Sequence, residues 1–178
     1  INNDIIFENQ KIKLNYTKKK IDIIGSGNVF IQNNLDNINY QVINNEGNYL
    51  FDVNLKINEN PFIIDLINFE KDIKTNLDLK IEGTLKKNIL GFDQITLSEN
   101  KNILSIKNLK LSKDYKIEEI EKIKFDYKDN TKRKNKLEIK QDNMNYIIIG
   151  DSFNADKLIT ELLNSKKNSK KNLFNKNF

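Results

Sequence analysis

The feature that most constrains this chain is a two-residue alternation of apolar and polar side chains, the pattern of a strand buried on one face only. Its clearest instance is Tyr49, Phe51, Val53, Leu55 and Ile57, separated by Leu50, Asp52, Asn54 and Lys56. The same beat returns in Ile12–Leu14–Tyr16, Ile38–Tyr40–Val42, Leu77–Leu79–Ile81 and Leu137–Ile139. Turn-forming clusters separate these runs at 17–20, at Gly25–Ser26–Gly27, and at 44–47, 58–61 and 129–135. Repeats of about ten residues suit hairpins rather than helical crossovers, so the expected fold is an all-β, antiparallel sheet.

Two places break phase by one residue, as a β-bulge or tight corner requires. Leu90 and Phe92 give way to Ile95 and Leu97, and Leu104 and Ile106 give way to Leu109 and Leu111. Ile117, Ile120 and Ile123 have helical spacing, but Phe125 and Tyr127 resume the strand beat, so the segment is read as strand with a short helix as the alternative. One helix is expected at about 154–164, with Asn154 as its cap and Ala155, Leu158, Ile159, Leu162 and Leu163 on one face. Residues 1–164 then form one extended sheet domain, and 165–178 a basic flexible tail or linker. With Ile1 already within a strand-like run, the chain is expected to be a segment of a longer parent.

Composition decides what can cover such a sheet. Only 38% of residues are hydrophobic, against roughly 45–50% in globular domains, and one short helix cannot cover ten or more strands. The sheet either folds into two layers around a closed core or curls into an open trough with an apolar inner face. Polar alternates on nearly every strand favour the trough.

The chain has no His and no Cys, which removes imidazole acid–base chemistry, thiol nucleophiles and the commoner zinc sites. No enzyme activity, cofactor or metal is expected. The formal charge of +5 is matched by the tail lysines Lys166, Lys167, Lys170, Lys171 and Lys176, so the body is neutral and nucleic acid is not an expected partner. Gly25–Ser26–Gly27 precedes a strand rather than the helix a phosphate loop needs, and reads as a hairpin turn. The acidic pairs Glu118–Glu119 and Asp126–Asp129 lack the ligand density of a calcium loop and read as solvated strand faces. Tyr49 and Phe51 lie in phase with the aliphatic residues, not on a lysine-bearing stacking platform.

The runs LKIEGTLKKNILGFDQITLSENKNILSIKNLKLSKDYKIEEIEKIKFDY and MNYIIIGDSFNADKLITELL carry a resemblance. A strand ends at Gly150, and Phe153, Asn154, Ala155 and a pair of leucines then open a short helix. Over Leu77 to Leu163 the chain resembles the AsmA-like proteins of Gram-negative envelopes, nearest the YhdP branch, although that family usually has Asp where this chain has Asn154. The resemblance implies a periplasmic β-sheet trough in a parent protein anchored in the inner membrane, with phospholipid moving along it toward the outer membrane. Phospholipid acyl chains would be the partner, with membrane contact through parts of the parent outside this chain. Alternation, not a family motif, gives the lipid-facing candidates: Tyr49, Phe51, Val53, Leu55, Ile57, Leu77, Leu79, Ile81, Leu137 and Ile139. The alternative is a structural or adhesive β-sandwich domain of a secreted surface protein.

Overall fold

A computed structural model describes residues 5–31, 34–72 and 75–167. Ten strands form one antiparallel sheet: β1 (Ile6–Tyr16), β2 (Lys20–Ile31), β3 (Asn34–Asn45), β4 (Asn48–Ile57), β7 (Leu77–Lys86), β8 (Ile89–Glu99), β9 (Asn102–Leu111), β10 (Ile117–Lys128), β11 (Lys134–Asp142) and β12 (Asn145–Ser152). Sequence order is spatial order, with one interruption. Between β4 and β7 the chain makes an excursion containing the two-residue strands β5 (Ile63–Ile64) and β6 (Phe69–Glu70), joined by a 3-10 turn at Asp65–Ile67. Among the described residues one α-helix, α1 (Asp156–Lys167), follows β12.

Asparagine, usually a poor strand former, serves the hairpin tips. Lys87–Asn88 and Glu46–Gly47 close two-residue loops with positive φ at both positions. That is the turn whose twist matches the flanking strands.

Both expected phase breaks occur. Asp93 is an extra residue of β8 against β7, where Glu82 faces Gln94 but Gly83 faces Phe92. Asn108, at φ 48°, lies opposite the same step on β9, and its side chain bonds Glu121 on β10. The segment with helical spacing is strand β10. Its three-residue steps record a register shift between Ile117 and Glu119 and the phase change at Glu121, each returning an isoleucine to the apolar face.

Gly25–Ser26–Gly27 is not a hairpin turn but the middle of β2. A β-carbon at Gly25 would fall 2.1 Å from the Tyr40 ring, which lies over it from β3. The glycine is required by that close approach. Gly83 does the same for Phe51, whose ring meets Phe92 edge-on at 5.9 Å across the gap.

The helix also differs from expectation. It begins at Asp156 and continues through Lys167, three residues into the expected tail. It packs beside the 3-10 turn, with Lys157 Nζ 3.1 Å from Asp65 Oδ1, and Ile159 of its expected apolar face is 51% exposed. The side chain of Leu162 lies outside the described set, as do residues 168–178.

Candidate functional site: an apolar track across ten strands

Cross-strand partners put the apolar alternates of every strand on one face. Val53 pairs with Ile81, Leu55 with Leu79, and Ile57 with Leu77. Following partners outward gives an unbroken row: Ile12, Gly25, Tyr40, Val53, Ile81, Ile95, Ile106, Ile123, Ile139 and Ile148. It takes one residue from each strand and includes no charged side chain. Nine steps at the usual inter-strand spacing make a track about 43 Å long. A parallel row runs Ile38, Leu55, Leu79, Leu97, Leu104, Phe125 and Leu137. Leu137 and Ile139 thus share the face of Val53 and Leu79, although β11 lies five steps across the sheet from β4.

The two long margins of this face, where strands turn, are unlike. At one, the excursion folds back as a plug. Phe69 and Leu77 are fully buried, together with Ile57, Ile67, Leu97, Leu104 and Tyr127. Phe69 meets Tyr127 edge-on at 5.7 Å, and Phe153, just before α1, stacks on Phe125 at 5.9 Å. Two of the proposed lipid-facing residues are therefore excluded from the accessible face. Ile57 and Leu77 are core beneath the plug, because the segment after Pro61 turns back over them instead of making a simple hairpin.

Buried polar groups fasten the plug. Asp36 on β3 accepts from the N–H groups of Asn58 and Glu59 at 2.7 and 3.2 Å, and from Asn60 Nδ2 at 2.7 Å. Glu99 on β8 accepts from Asp72 N–H at 2.7 Å and Asn102 Nδ2 at 3.0 Å, and also from Thr75 Oγ1. Tyr127 donates its hydroxyl to Ile67 O at 2.6 Å. Burial first, and then the Asp129 charge, push that phenol up to about 12.

Asp129 is not on a solvated strand face but 2% exposed. Burial pushes its carboxyl up, but hydrogen bonds from Thr131 Oγ1, Asn154 Nδ2, Arg133 N–H and Thr131 N–H outweigh that and hold it down at about 2. These protein donors occupy both its oxygens, so the residue organises a turn. Asn154 joins three elements: its N–H donates to Asn135 Oδ1 at 2.7 Å, its Nδ2 to Asp129 Oδ2 at 3.2 Å, and its Oδ1 accepts from Asp156 N–H at 3.3 Å. The helix contact is the longest of the three, so the side chain acts more as a bracket than as a cap.

Away from the plug the face is only partly buried. Phe51, Val53, Ile81, Ile95, Ile106, Ile123 and Ile139 are all intermediate in exposure, whereas a residue in a two-layer core is enclosed. At the other margin Tyr49 and Leu85 are each 38% exposed, and the track runs out at both sheet edges through Ile12 and Ile148, at 60% and 65%. A cavity of about 280 Å³ lies between Ile31, Leu55 and Ile57 and the plug residues Pro61, Phe62 and Ile63. It falls just below the usual range of ligand pockets, so a lipid reading rests on the open face. The opposite face is mainly polar and carries ion pairs: Lys110 meets Glu119 at 2.5 Å and Lys136 meets Asp151 at 2.8 Å. Hydrogen bonds from Lys140 and then Lys122 hold the Glu138 carboxyl down at about 2.

Among the described residues no cluster of three His, Cys, Asp or Glu could hold a metal, and no helix is long and apolar enough to cross a membrane. The chain matches no protein-family model, no curated protein and no solved structure.

Proposed function

We propose that this chain is a non-catalytic segment of an AsmA-like lipid-transport protein of the Gram-negative periplasm, whose apolar face shields phospholipid acyl chains from water. The observation that carries this reading is the ten-strand track, apolar at every step and only partly buried over its middle. An exposed apolar surface of this extent marks a binding surface. The track offers no side-chain donor or acceptor beyond the Tyr40 hydroxyl, so a peptide laid on it would leave its N–H and C=O groups unpaired. An acyl chain has no such groups, and each buried methylene contributes about 0.8 kcal/mol. A uniform lining, with no polar pocket to fix one position, suits sliding better than tight retention. In this reading the sheet is a curled trough, open along one margin and at both edges.

Val53→Asp tests the reading. On an open face the new carboxylate stays partly hydrated: the variant should fold to normal yield and lose extractable phospholipid. In a closed sandwich the same change buries an unpaired charge at a cost of several kcal/mol. Collapse of the folded yield would favour the β-sandwich.

A further inference from the structure

With one margin closed by the plug, the free margin decides what kind of lipid head the track accepts. Five hairpin tips lie on it: 17–20, 45–48, 86–89, 112–116 and 142–145. Between them they carry Lys18, Lys19, Lys20, Lys86, Lys87, Lys113 and Lys116 against three acids, Glu46, Asp114 and Asp142. All seven lysines are exposed. Of these, Lys19 pairs with Glu46 at 3.4 Å, and the other six make no ion pair among the described residues. On the polar face Lys80, Lys110, Lys122, Lys136 and Lys140 are each matched to a carboxylate on the same or a neighbouring strand, whereas Lys11, Lys13, Lys56, Lys107 and Lys124 are not, among the described residues. The free margin's tips thus carry seven lysines against three acids where the apolar face meets water.

The distances suit a lipid lying along the strands. Leu79, beside the plug, is six residues from Leu85 at the free margin, about 20 Å of extended chain. Half of a bilayer's hydrocarbon core is about 15 Å. Tails that end at the plug would place the head at the lysine tips, because Phe69 and Tyr127 occupy the other end.

We propose that the lysine tips of the free margin bind the anionic phosphate-bearing heads of lipids whose tails lie on the track, giving the chain a preference for anionic over zwitterionic phospholipid. This rests on the lipid-track reading. The whole chain should be loaded with phosphatidylglycerol or phosphatidylcholine of equal tail length, and retention compared by native mass spectrometry, with inorganic phosphate as a competitor. The proposal expects about fivefold or greater preference for phosphatidylglycerol, in keeping with the contribution of one lysine at an anionic surface. Lys87→Glu/Lys113→Glu should abolish the preference while phosphatidylcholine is still retained. Lys101→Glu/Lys132→Glu, the same charge change at the plug margin, should leave it intact. Equal retention of both lipids by the unaltered chain would overturn the proposal and leave the lipid track standing. Loss of preference in both variants would reduce it to net charge, and displacement by millimolar phosphate alone would point to a free-anion site. Retention of neither lipid would instead overturn the track itself.

Discussion

Replacing Asn154 by Asp looks conservative for a helix-capping residue, since either side chain can accept the capping bond. The structure predicts the opposite. Asn154 Nδ2 donates to Asp129 Oδ2 at 3.2 Å, and Asp129 is 2% exposed. Substitution turns a donor into a second carboxylate facing the first. At 3.2 Å and an effective dielectric of about 20, the repulsion is about 5 kcal/mol. Protonating one carboxyl at pH 7 costs about 4 kcal/mol, which caps the penalty, and movement of the new side chain toward solvent lowers it. Asn154→Asp should therefore lose about 2–4 kcal/mol at pH 7, more than Asn154→Ala, which loses hydrogen bonds alone.

The pH dependence carries the sign. In the unaltered chain Asp129 titrates at about 2, below its ordinary 3.8, so its contribution is present above pH 4 and is lost as pH falls toward 2. Allowing for solvent screening, that contribution is on the order of 1–2 kcal/mol. In Asn154→Asp one carboxyl of the pair titrates above its unfolded value, so the variant should regain stability as pH falls from 7 to 4.5. Urea unfolding followed by circular dichroism at the two pH values measures both effects. An Asn154→Asp variant as stable as the unaltered chain at pH 7 would refute the bracket and restore the simple cap.

Two further substitutions probe the plug and the track. Tyr127→Phe leaves Ile67 O without its donor and should cost about 1–3 kcal/mol in urea unfolding; an unchanged midpoint would mean that the hydroxyl does not hold the plug. Gly83→Ala would put a β-carbon 2.2 Å from Gly91 O and 2.7 Å from the Phe51 ring, costing about 1–3 kcal/mol and weakening the near-ultraviolet signal of the Phe51–Phe92 pair. An unperturbed spectrum would contradict the close packing.

What the sequence made legible, and what it did not, follows from the range of the interactions. Alternation in Tyr49–Ile57 and Leu77–Ile81 is local and indicates their shared face, whereas the pairing of Val53 with Ile81, across the excursion between β4 and β7, is set by the fold. The slips at Asp93 and Asn108 are local too, because each moves every later apolar residue by one position. Asp36, Glu99 and Asp129 lie in phase with Ile38, Leu97 and Tyr127, but next to turns, where an acid looks ordinary. Their burial depends on partners up to 27 residues away, which no local pattern announces. Gly25 misled because its neighbour is Tyr40, on the adjacent strand rather than in the chain nearby. Proximity of Pro61 to Asn58 suggested a turn, while the apolar residues beyond it, Phe62, Ile64, Ile67 and Phe69, were the sign of a plug.

The central claim is that the track carries lipid tails, and site-specific photocrosslinking in cells tests it most directly. A photoreactive residue at Val53 or Ile106 should capture phospholipid, as should one at Ile139, five steps across the sheet from β4. The same residue at Lys80 or Lys124, on the polar face, should capture none. Leu77, beneath the plug, should also stay unlabelled. Phospholipid adducts at Lys80 matching those at Val53, or none at any track position in a folded chain, would contradict the account.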